Sequence, residues 1–203
     1  VNHTPITTTY TRRLASVAGA LIAGSLALSA CSGGEDTAAG GSAATSIPAD
    51  ATFNTADVTF AQGMVPHHDQ AVEMAQMTQT RSTNPQVLDL ATRIEAAQGP
   101  EIDTLTGWLE DWGSDSGSDS GVGGMSGMMS SEDMASLESL SGVEFDRMWL
   151  EMMLEHHTGA VGMAETEIAD GEDPAAIAMA EDIQASQSAE ITEMEQLLQT
   201  LAG

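Results

Sequence analysis

The stretch MVPHHDQAVEMA, Met64 to Ala75, returns later in the chain as MLEHHTGAVGMA, Met153 to Ala164. The offset that places His67 on His156 also aligns Asp57 with Asp146, Pro85 with Pro174, Gln98 with Gln187 and Glu101-Ile102 with Glu190-Ile191, without a gap. The chain is therefore a tandem duplication of one unit. Apart from His3, near the N-terminus, the two His-His pairs contain every histidine.

Working outward, Asn54 and Thr55 are good caps for a first helix running to about Arg81. Within it, Gly63 and Pro66 predict a kink or a restart just before His67, because proline removes a backbone donor and crowds the preceding turn. Asn84-Pro85 starts a second helix that ends near Trp112-Gly113, with a bend expected at Gly99-Pro100. Asp173-Pro174 repeats that start signal for a helix running to about Leu201. Between the units, residues 114–130 form a Gly/Ser/Met-rich linker. A short helix from about Glu132 to Leu140 and a long one from about Val143 to Asp170 follow. No stretch alternates with period two for long enough to compete as a strand. Two helical hairpins related by duplication predict an all-α fold, an up-and-down four-helix bundle with a short extra helix in the linker.

Residues 1–31 read as a lipoprotein signal peptide. Arg12-Arg13 supplies the positive region, Leu14 to Leu28 the apolar run and Leu28-Ser29-Ala30-Cys31 a lipobox-like end, so Cys31 is the expected lipidation site. Residues 32–52, rich in Gly, Ala, Ser and Thr, read as a flexible tether. These features predict an exported protein anchored by lipid to the outer side of a bacterial membrane. The first hairpin then covers 53–113, and the short helix with the second hairpin covers 131–203. With Cys31 lipidated, neither a disulfide framework nor a thiolate metal site is available. All 31 acidic residues follow the leader, against Arg81, Arg93 and Arg147 and no lysine, a balance that repels nucleic acid and concentrates cations.

At 3.6 residues per turn, Phe60, Met64, His67, His68, Ala71, Met74 and Ala75 share one face, as do Trp149, Met153, His156, His157, Ala160, Met163 and Ala164. Both faces are otherwise apolar, with Asp69 and Glu73 turned away, so the imidazoles are expected to look into the bundle. A lone inward histidine is ordinarily a satisfied core residue. Two adjacent ones, duplicated and flanked by methionine, favour metal ligation by His67, His68, His156 and His157. Iron- or manganese-binding bundles use Glu-x-x-His. Here Met64 and Met153 stand in the glutamate position, and a thioether binds cuprous copper or silver in preference to ferrous iron. Met64, Met74, Met153 and Met163 are thus candidate ligands beside a competing role as core filler. Met125, Met128 and Met129, in a linker with no core of its own to fill, form a candidate second metal site or else a greasy anchor for the linker. Gln98, Glu101, Gln187 and Glu190 lie on inward stripes and need partners. They are expected to hold the free ring nitrogens of the histidines, or else to ligate directly, which would favour zinc, cupric copper or iron.

These residues resemble the bacterial family catalogued as domain of unknown function number three hundred and five. Its pattern of an aromatic, a methionine, His-His, a small residue and Met-Ala, followed by Gln-x-x-Glu-Ile, is met at Phe60 to Ala75 with Gln98 to Ile102, and at Trp149 to Ala164 with Gln187 to Ile191. The segment from Gly127 to His157 is especially similar, and the likeness covers about Phe53 to Leu201. The resemblance implies a ferritin-like helical fold and copper or silver binding in the bacterial envelope through the paired histidines and neighbouring methionines.

The expected function is capture of soft metal ions, copper(I) first and silver second with zinc or iron less favoured, for buffering, tolerance or delivery. No catalytic nucleophile, acid–base pair or cofactor loop is recognised. The competing readings are a ferritin-like oxidase using the histidines with Glu101 and Glu190, and a structural or partner-binding lipoprotein that takes no metal.

Overall fold

The computed structural model describes residues 47–115 and 126–202. The leader, Cys31 and most of the tether fall outside them, as does Met125. Five helices make up the fold: α1 (Thr55–Arg81), α2 (Pro85–Asp111), α3 (Ser131–Ser139), α4 (Gly142–Asp170) and α5 (Pro174–Ala202).

Four of the five starts are fixed by a capping side chain, that of α4 being the exception. The Asn54 side chain accepts from Ala56 N–H and Asp57 N–H, and Asp57 returns a bond to Asn54 N–H at 2.6 Å, completing a capping box. Ser130 and Asp133 repeat the device for α3. Asn84 and Asp173 each precede a proline, whose missing N–H costs nothing in the first turn. The expected restart before His67 does not occur, since α1 is unbroken through Pro66, and α2 is likewise continuous through Pro100. Met64, Val65, His67 and His68 are buried around Pro66, so packing on both sides outweighs one lost backbone bond.

α1 pairs with α2 and α4 with α5, and the two hairpins meet along α1 and α4. The Asn54 side-chain amide donates to Asp170 O at one end of that seam, and the Trp149 indole N–H donates to Met74 O further along it, so α1 and α4 run in opposite directions. The helix directions in chain order are up, down, down, up. One long crossover between the hairpins produces this order, as in ferritin-like bundles. At the far end Arg81 reaches Glu138 and Leu140 O, tying α3 to the end of α1. Across the outer face Arg93 of α2 holds Glu193 of α5 at 2.7 Å.

The core is divided in two. One apolar cluster gathers Met74, Leu90, Ile94, Phe145, Trp149 and Met153, and the other gathers Phe60, Met64, Leu105, Leu109, Ala160 and Ile183. Between them lies a polar layer built from the repeated histidines. Among the described residues no helix is long and apolar enough to cross a membrane.

Candidate metal centre

α1 and α4 cross where His67 meets His156, with ring centroids 3.7 Å apart and planes inclined by 38°. Equivalent residues of the two repeats thus touch at the crossing, which puts the pseudo-twofold axis between the two rings. All four histidines have zero solvent exposure. Adjacent residues on a helix project about 100° apart, so the second histidine of each pair cannot face the same way as the first. His68 instead swings toward its own hairpin partner and places Nε2 2.7 Å from Glu101 Oε2 on α2. His157 does the same with Glu190 on α5 at 2.8 Å.

In a neutral imidazole held this way the Nε2–H donates to the carboxylate, leaving the lone pair on Nδ1. His67 has the same polarity, because its Nε2 lies 3.3 Å from the carbonyl oxygen of Ser126, which can only accept. Nδ1 of His67, His68 and His157 and both ring nitrogens of His156 have no hydrogen-bond partner. The Oε1 atoms of buried Gln98 and Gln187 are also unpartnered. A buried polar atom left in this state costs roughly 1–3 kcal/mol. Several together weigh heavily against a domain's net stability of about 5–15 kcal/mol, so packing alone does not account for the layer.

Burial, reinforced by the charge that neighbouring imidazoles would carry, lowers the pKa of His67 to about 3 and that of His156 to about 2. Both rings are therefore unprotonated at neutral pH, the form that ligates metal. Among the described residues no group of three or more His, Cys, Asp or Glu forms a ready cage. Any ion in the layer would have to draw on sulfur or on a pair of imidazoles.

Met64 and Met153 are fully buried, one turn before the histidines of their helices. Met74 and Met163 lie two turns beyond, about 10 Å along the axis. Met74 packs beside Trp149, and Met163 lines a pocket of about 350 Å³ with Phe60 and Gly63. The structure thus gathers the four histidines, Glu101 and Glu190 into one layer, and leaves Met74 and Met163 outside it. Met128 is half-buried. Met129, expected to have no core to fill, in fact packs against the first cluster, because α3 folds its end of the linker back onto α1.

One buried group was missed from sequence. Glu167, 1% exposed, faces Asp57 across the seam, and its pKa is pushed up to about 8, first by burial and then by the neighbouring carboxyl groups of Asp57 and Asp173. Asp57 is held below the usual range: burial opposes ionisation, but backbone N–H bonds from Asn54, Asp173 and Glu172 help to outweigh it. The available signal was a break in the repeat, since the position matching Glu167 is Thr78.

The profile of the family described as "Domain of unknown function (DUF305)" matches residues 57–198. A DUF305 protein of Streptomyces coelicolor, assigned as secreted, is 32% identical with a TM-score of 0.68, covering 73% of this chain and 94% of its own. A DUF305 fragment from Deinococcus radiodurans is 31% identical with a TM-score of 0.66, covering 72% and 97%. CopM, solved bound to Cu(I), is 30% identical with a TM-score of 0.61, covering 72% and 98%. CopM has also been solved with Cu(II) and with silver. No functionally curated protein matches. The duplicated His-His helices, the glutamates behind them and the extent of these matches lead to one assignment: the chain belongs to the DUF305 family.

Proposed function

We propose that this protein captures soft metal ions, Cu(I) foremost and Ag(I) as a second cargo, in the layer where its two repeats cross. His67, His68, His156 and His157 would supply nitrogen, and Met64 and Met153 sulfur from the flanking turns. The observation that carries the reading is the set of fully buried imidazoles with partnerless ring nitrogens. Glu101 and Glu190 act behind them, fixing Nε2–H tautomers and aiming Nδ1. Their engagement with histidine disfavours the oxidase reading, in which they would bind a hard ion directly. CopM, with bound copper and silver at comparable identity over the same fold, supports the choice of cargo.

The work suited to such a site is buffering, tolerance or delivery outside the cytoplasm. A lipid anchor at Cys31 would keep the protein at the membrane surface, and the acidic exterior would gather cations there. A weaker soft-metal site formed by Met125, Met128 and Met129 belongs to the same proposal. The test is titration of the purified chain with Cu(I), Ag(I), Zn(II) and Fe(II), beside a variant carrying alanine at all four histidines. Tight Cu(I) and Ag(I) binding that the variant loses is expected. A preference for Zn(II) would overturn the soft-metal assignment, and undiminished binding by the variant would overturn the site.

A further inference from the structure

Of the matched positions at which the repeats differ beside the histidines, one pair lies against the linker. Where the first has Gln70, the second has Gly159. Both departures serve the same piece of chain, Ser126 to Met129. The Gln70 amide grips the Met129 backbone twice, donating from Nε2 to the carbonyl at 2.9 Å and accepting from the N–H at 2.7 Å. Gly159 gives the opposite kind of help, because a Cβ there would collide with the carbonyl of Ser126. Gly127, at φ +84°, is equally confined: its own Cβ would come within 2.8 Å of Glu155 O and 2.9 Å of His156 O. Backbone therefore lies directly on backbone over the α1–α4 seam, where Ser126 presents its carbonyl to Nε2 of His67.

We propose that Ser126–Met129 is a strap, held by Gln70 and Gly159 as positioning residues, that fixes the tautomer of His67 and sets the rate at which a soft monovalent ion reaches or leaves the histidine layer. The tautomer follows from chemistry, since a carbonyl oxygen accepts only Nε2–H and so reserves Nδ1 for a ligand. The rate follows from position: the strap covers the crossing of α1 and α4, and each opening must break both Gln70 bonds. The asymmetry is informative. His156 has no hydrogen-bond partner on either nitrogen, so the strap holds one ring of the central pair and not the other.

The strap's kinetic role rests on the metal-binding reading, whereas its hold on His67 does not. The test compares the full chain with Q70A, Q70E and G159A. Q70E keeps an acceptor for Met129 N–H and loses the donor to its carbonyl. In metal-free protein, nitrogen NMR of the imidazoles reports the His67 tautomer. In Ag(I)-loaded protein, transfer to a competing chelator reports release, and equilibrium titration reports affinity. Q70A and G159A are expected to lose the Nε2–H preference of His67, Q70A by loss of two hydrogen bonds and G159A by pushing Ser126 away. Q70A is also expected to speed Ag(I) release by about tenfold, as two lost hydrogen bonds imply for the open fraction. Q70E should fall between. A purely structural role would lower melting temperature and leave both readouts alone, so an unchanged tautomer with release within about twofold of the parent overturns the proposal. If none of the proteins binds Ag(I), the metal reading fails and the kinetic role with it. The metal-free spectra then decide the positioning role, a retained tautomer in Q70A and G159A overturning it.

Discussion

Replacing Glu167 with glutamine should make the protein more stable at mildly alkaline pH, against the usual outcome of altering a buried residue. The Glu167 carboxyl titrates near pH 8 when folded and near 4.5 when exposed. Because the folded value is raised, its contribution is fully present below about pH 4.5 and is lost as pH rises toward 8. Each pH unit in that window costs about 1.4 kcal/mol, for a total of up to roughly 5 kcal/mol. Asp57 is the charge that makes ionisation so costly. It is pinned by N–H groups of Glu172 and Asp173, the latter at 2.9 Å, and cannot move away. Glutamine keeps the shape and a donor toward Asp57 but carries no proton to lose. Urea unfolding followed by circular dichroism, at intervals between pH 6.5 and 8, above the range in which His67 and His156 change stability, would show the parent losing stability toward alkaline pH and E167Q losing much less. At pH 8 the variant should lead by a few kcal/mol, since relaxation and water access reduce the full value. Equal pH slopes for the two proteins would refute the reasoning.

The histidine pair supplies the opposite slope. Lowered from 6.5 to about 3 and about 2, the pKa values of His67 and His156 mean that stability is intact above pH 6.5 and falls with acid as the unfolded chain takes up protons first. In an E167Q background urea midpoints should therefore drop steadily below pH 6.5, and adding H156L should flatten the drop and stabilise the metal-free protein. E101A and E190A each strand a buried Nε2–H, which should cost about 1–3 kcal/mol in chemical unfolding. The same changes should weaken Ag(I) binding by roughly 10–100-fold. W149F removes the indole donor to Met74 O, whose helix bond remains, and a thermal melt should register about 1 kcal/mol for the lost hydrogen bond.

Much of this fold was open to reading because the duplication states each signal twice. Asn84-Pro85 and Asp173-Pro174 marked two helix starts, and the inward stripes of α1 and α4 placed the histidines in the interior. Single-helix periodicity could not show how the rings divide. His67 and His68 share a face in projection, yet one meets its counterpart across the seam and the other a glutamate of its own hairpin, a choice made by how four helices pack. The strap was hidden for a related reason. Gln70 and Gly159 are ordinary residues for a helix surface, and their purpose is visible only with residues 126–129 lying between them. Glu167 carries no repeat signal, because its matched position is Thr78 and a lone glutamate near a helix end has the pattern of a solvated surface residue.

The crossing of like residues at His67 and His156 also bears on ancestry. A hairpin half this length, paired with a copy of itself about a twofold axis, would assemble the same four rings and both supporting acids. Fusion into one polypeptide releases the halves from that identity. A self-paired precursor must carry the same residue in both copies, glutamine or glycine at the clamp position and threonine or glutamate at the end of the seam. The fused chain holds one of each, and so residues 126–129 lie over the crossing from one side only.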